Sequence, residues 1–89
     1  MWTDYGYVMA SKYRIAVIKS LQSHPKTPKQ ISHETRINLS HISRTLKELE
    51  KRFLVRCINP NAIKGRVYAL TEKGQELAKI LTENKEDSQ

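Results

Sequence analysis

Ser40, Arg44, Lys47 and Lys51 follow one another at intervals of four, three and four residues, the spacing that stacks side chains along one face of an α-helix. His41 and Ser43 flank them. Arginine and lysine donate hydrogen bonds to guanine edges or to phosphate, and hydroxyls reach either, so a helix face of this kind suits the major groove of a duplex. The opposite side of the same segment carries Ile42, Leu46, Leu49 and Phe53, which reads as one buried stripe. Further along, Lys64 and Arg66 bracket Gly65, a second cationic cluster for phosphates or a minor groove. Lys29 and Arg36 complete the set of candidate DNA-binding residues.

Other chemistries lack their parts. Cys57 is the single cysteine, and His24, His33 and His41 have no paired ligand spacing, so no metal site and no cofactor is expected. There is no glycine-rich phosphate loop, no clustered carboxylate pair and no serine or cysteine beside an evident base, which argues against a catalyst. The chain has 16 basic against 9 acidic residues, a net charge of +7. Residues 26–66 alone hold ten basic and three acidic residues, while the segment after them is acidic. A field concentrated in one segment favours an anionic partner over a merely solvated surface.

At 89 residues with 38% hydrophobic and 28% charged side chains, one small globular domain spanning residues 1–89 is expected. The longest apolar runs, residues 7–10 and 15–18, are far short of the ~18 a membrane span needs. The N-terminus lacks the pattern of a secretory signal. A lone cysteine fits a reducing compartment, so a cytoplasmic, nucleoid-associated protein is expected.

The elements that must position these groups follow from local signals. Val17, Ile18 and Leu21 recur at helical spacing after Ser11, a candidate N-cap, predicting a helix over 12–23 that can begin as early as residue 5. Thr27-Pro28-Lys29-Gln30 is a capping box with proline at the first helical position, opening a short helix over 28–35. After a turn at Arg36-Ile37, Asn38 caps a longer helix over 39–52. Residues 54–58 and 67–70 are β-prone around a turn-rich stretch, 59–66, with a basic tip. Thr71 caps a last helix over 72–83, buried through Leu77, Ile80 and Leu81, and 84–89 reads as a frayed polar tail. The fold class is therefore mainly α with a small β hairpin, in which the second and third helices form a helix-turn-helix.

Over residues 13–81 the chain resembles winged helix-turn-helix regulators of the MarR and ArsR type, especially small single-domain archaeal members. The likeness lies in Thr27-Pro28-Lys29-Gln30-Ile31, in Leu39-Ser40-His41-Ile42-Ser43-Arg44-Thr45-Leu46-Lys47-Glu48-Leu49-Glu50-Lys51, and in Gly65-Arg66-Val67-Tyr68-Ala69-Leu70-Thr71-Glu72-Lys73-Gly74. The resemblance implies a short strand near Lys26-Thr27 that joins the hairpin. It also implies a recognition helix at 39–52 and homodimers on pseudo-palindromic double-stranded DNA. Two departures stand out: Arg36 occupies a turn position where glycine is common, and Phe53 replaces a common glycine after the third helix.

Trp2, Tyr5 and Tyr7 put three aromatics at the N-terminus, costly to leave in water. They are expected to pack on the last helix or on a second subunit, with Leu77, Ile80 and Leu81 as the other half of a dimer contact. A winged-helix module for protein assembly or RNA binding is the alternative reading, because this fold serves several functions.

Overall fold

Ser11 divides the N-terminal helical pattern in two. Its backbone is extended (φ −141°, ψ 123°) and its side chain accepts the Arg14 N–H, so α2 (Lys12–Leu21) starts afresh after α1 (Trp2–Met9). The computed structural model describes residues 2–87. The helix expected over 12–23 behind its Ser11 cap is thus α2, and the earlier start allowed for it is a separate helix, because a capping serine satisfies the orphan amides of a new helix.

Both halves of the Thr27–Gln30 capping box form, with Thr27 N–H donating to Gln30 Oε1 at 2.8 Å and Gln30 N–H to Thr27 Oγ1 at 3.2 Å. They open α3 (Pro28–Thr35). Arg36 then takes the left-handed conformation, φ 62°, its N–H bonded to the Ser32 carbonyl at 2.8 Å. The Ser32 hydroxyl donates to the Ile37 carbonyl, and Thr35 Oγ1 accepts the Ile37 N–H at 3.3 Å. The turn is therefore satisfied within itself before Asn38 caps α4 (Leu39–Lys51) through the Ser40 N–H at 2.9 Å.

Ile42, Leu46 and Leu49 of α4 are fully buried as expected, but Phe53 is 73% exposed. The stripe ends at Leu49 because Phe53 adopts φ 60°, and the Leu54 N–H reaches back to the Leu49 carbonyl at 3.0 Å. This closing turn swings Phe53 outward and delivers Leu54 into the core.

Strands β1 (Val55–Cys57) and β2 (Tyr68–Leu70) pair antiparallel with Val55 opposite Leu70 and Cys57 opposite Tyr68. Lys26 forms an isolated antiparallel bridge to Tyr68. The Lys26 N–H donates to the Tyr68 carbonyl at 3.0 Å, and the Tyr68 N–H donates to the Lys26 carbonyl at 2.8 Å. The third strand implied by the resemblance is reduced to this bridge.

Thr71 leads into α5 (Glu72–Asp87) by donating to the Phe53 carbonyl at 2.6 Å and accepting the Gly74 N–H at 3.1 Å. Leu77 and Leu81 are buried, whereas Ile80 is only half-buried. The helix continues through residues expected to fray, while Ser88 and Gln89 of that tail lie outside the described residues.

Of the N-terminal aromatics, Tyr5 and Tyr7 are half-buried against the core that includes Leu77 and Leu81 of α5. Trp2 is 72% exposed, edge-on to Tyr5 with ring centroids 5.7 Å apart. Tyr7 lies between two guanidinium groups, Arg14 at 3.8 Å and Arg52 at 3.9 Å from its ring centroid, a cation–π sandwich. Asp4 reaches the last helix: it is buried and paired with Lys73 at 2.8 Å and Arg52 at 3.3 Å. These partners hold its carboxyl below its ordinary value, the Lys73 hydrogen bond first, against the opposing cost of burial.

Candidate nucleic-acid interface

The outer side of α4 is built by what its inner side buries. With Ile42, Leu46 and Leu49 fixed in the core, Ser40, Arg44, Lys47 and Lys51 are turned into solvent. Glu48, four residues beyond Arg44, pairs with Arg14 of α2 at 3.3 Å instead. Among the described residues, no salt bridge engages Arg44, Lys47 or Lys51. An unneutralised cationic face is left along the helix.

The flanking residues divide. Ser43 is half-buried beside Lys47 in a cleft. Ser40 also closes the N-cap, its hydroxyl donating to Asn38 Oδ1 at 2.7 Å. His41 is half-buried and stacked on Tyr13 at 4.8 Å between ring centroids, which fixes the ring at one edge of the face.

Across that face lies a cleft of about 640 Å³ shared by three elements. Lys29 comes from the start of α3, Leu39, Ser43 and Lys47 from α4, and Ile63, Gly65 and Arg66 from the hairpin loop. The Lys26–Tyr68 bridge ties the hairpin to the segment leading into α3. Lys64 is exposed on the same loop. Cys57 by hydrogen bonding, and Tyr68 by charge, push the exposed Arg66 guanidinium up from its ordinary value. Arg36 sits apart from this cleft, at a shallow depression formed with Ser32, His33 and Asn38 on the turn itself.

Two residues counted in the basic segment are not on this surface. Lys26 is buried, its ammonium bonded to the Ser20 carbonyl, to the Ser20 and Ser23 hydroxyls at 3.3 Å, and to Glu34 at 2.6 Å. Its hydrogen bond holds the Glu34 carboxyl below its ordinary value. Arg52 faces Asp4 and Tyr7. Sequence reasoning did not single out Ile63, an exposed apolar residue lining the cleft. Asn59 belonged to the turn-rich stretch expected there, but its side-chain bonds across the loop were not foreseen.

A helix-turn-helix with a two-stranded wing, Lys47 of its outer helix and Arg66 of the wing lining one cleft, defines a winged helix-turn-helix. The chain belongs to the HxlR-like helix-turn-helix family, whose profile matches residues 8–87. Among curated proteins, none matches it.

Solved structures share the fold. A double mutant of Lactococcus lactis ZitR superposes with a TM-score of 0.78 at 22% identity, covering 86% of this chain and 53% of that one. NMB1585, a MarR family regulator from Neisseria meningitidis, gives 0.78 at 24% identity, covering 86% and 56%. The quinone-bound YodB from B. subtilis gives 0.77 at 24%, covering 92% and 87%. The chain thus spans about half the length of the first two. None of the three bears on the expected archaeal likeness.

Proposed function

We propose that the chain is a sequence-specific, double-stranded DNA-binding transcription regulator. In this reading α4 enters the major groove with Ser40, Ser43, Arg44 and Lys47 toward the bases, and Lys51 follows the backbone. Lys29 and Arg36 hold phosphates at the approach, and the wing, with Lys64 and Arg66, lies on the backbone or in the adjacent minor groove. His41, clamped by Tyr13, contributes one edge of its ring. The observation that carries this reading is the unpaired cationic face of α4, opposed across a cleft by a cationic wing.

A homodimer through α1 and α5 accompanies the proposal. Trp2 and Met9 present exposed apolar surface on α1, which a second copy would cover. A two-fold pair would set the two α4 helices about 34 Å apart, one turn of duplex.

Selection from random duplex DNA, read at two salt concentrations, tests the reading. Enrichment of an inverted repeat, with affinity falling at a slope of about −0.9 per phosphate neutralised, is the expected result. Binding indifferent to sequence and salt refutes it.

A further inference from the structure

Among the described residues Ile63, at 94%, is the most exposed of the large apolar side chains, and it stands in the loop between β1 and β2. The loop is stitched across its base. Asn59 accepts the Val67 N–H at 2.7 Å through its side-chain oxygen and donates its amide to the Gly65 carbonyl at 3.1 Å. The Ala62 N–H bonds the Asn59 carbonyl at 3.0 Å, and Arg66 reaches the Pro60 carbonyl at 3.4 Å. Gly65, at φ 67°, turns the chain back with nothing within 4 Å of where a Cβ would stand. The structure of the loop itself therefore holds the isoleucine out in water.

Its surroundings say what kind of surface it meets. Lys64 and Arg66 are exposed beside it, and Lys47 of α4 shares its cleft. An apolar tip ringed by cations is complementary to a surface that is anionic at its rims and apolar between them. The minor groove, walled by sugars and edged by phosphates, is such a surface, and branched apolar side chains pry open base steps there.

We propose that Ile63 is a minor-groove wedge. It enters beside the major-groove site and opens a base step while Lys64 and Arg66 hold the phosphates on either side. Unstacking is easiest at pyrimidine–purine steps, so Ile63 selects sequence at a flanking position that α4 never touches. This inference rests on the DNA-binding reading above.

The test compares the wild type with Ile63→Ala and Ile63→Phe in two measurements: selection of flanking sequence, and bend angle from end-to-end energy transfer on the selected duplex. Circular dichroism melting confirms that each variant folds. The wild type is expected to enrich TA or CA steps under the wing and to bend the duplex. Ile63→Ala should keep the central site but lose the flanking preference and most of the bend, with a ~10-fold weaker affinity on the preferred flank. Ile63→Phe should restore the bend.

Unchanged flank selection and bend in Ile63→Ala overturn the wedge while leaving DNA binding intact. A wild type that enriches no duplex overturns both readings. If Ile63→Ala instead lowers the sedimentation mass without altering the bend, the tip is a protein contact and the wedge is rejected.

Discussion

Arg36, which caps the end of α3, and Phe53, just beyond α4, both hold left-handed backbone, φ 62° and 60°. A Cβ in that conformation is strained, and glycine relieves it. Phe53→Gly should raise stability by about 1 kcal/mol in urea unfolding, since its side chain is largely solvent-exposed. Arg36→Gly should gain a similar amount but also remove a cation, reducing the salt slope of DNA binding by about 0.9. On the α4 face, Arg44→Ala should cost about 1–3 kcal/mol of binding and relax preference at one base pair, whereas Lys64→Ala should weaken all sequences alike. Titration against matched and mismatched duplexes separates the two. The α4 face was readable because periodicity states which residues are turned outward. The fate of Phe53 was not, because an apolar residue in phase with a stripe is indistinguishable from its continuation until the chain leaves the helix. Glycine at that position in related proteins was the clue to a positive φ.

Gly74 shows how tightly α5 is seated. A Cβ there would run into the Leu54 carbonyl oxygen, a backbone atom that cannot yield without moving β1. Gly74→Ala, which would stabilise an isolated helix, should instead destabilise this one by about 2–3 kcal/mol, read from the denaturation midpoint. At the other end of the molecule, Asp4 anchors α1 to α4 and α5. Because its folded carboxyl lies below the ordinary 3.8, its contribution is present above that pH and lost as pH falls through the lowered folded value. Asp4→Asn should cost about 1–2 kcal/mol at neutral pH, reduced from a fully buried pair because Arg52 and Lys73 are partly solvated. The gap between the two proteins should close below pH 3.8. Capping residues made the starts of α2, α3 and α4 readable, since such signals are local. The ties of α1 were not, because they join residues far apart in sequence, and the bridge from Lys26 to Tyr68 was expected only through the family resemblance. Lys26 in particular reads as a surface cation until Glu34, Ser20 and Ser23 are seen around it.

For the molecule as a whole, net charge overstates the working surface. With Lys26 and Arg52 engaged internally, eight of the ten basic residues of the central segment remain exposed, the seven candidate contacts and Arg56 of β1. The salt slope should therefore be no steeper than about −7 per protomer. A steeper slope would bring in Lys12 or Lys19 of α2. The segment charge pointed to the right region, but sequence position does not say whether a cation faces solvent or an internal carboxylate.

The chain has one tryptophan, and Trp2 sits on the uncovered side of α1. It is consequently a built-in optical gauge of self-association. Its emission should shift to the blue as protein concentration rises if α1 becomes an interface, in step with the change in mass. A doubled mass with unmoved emission would assign the contact to another face.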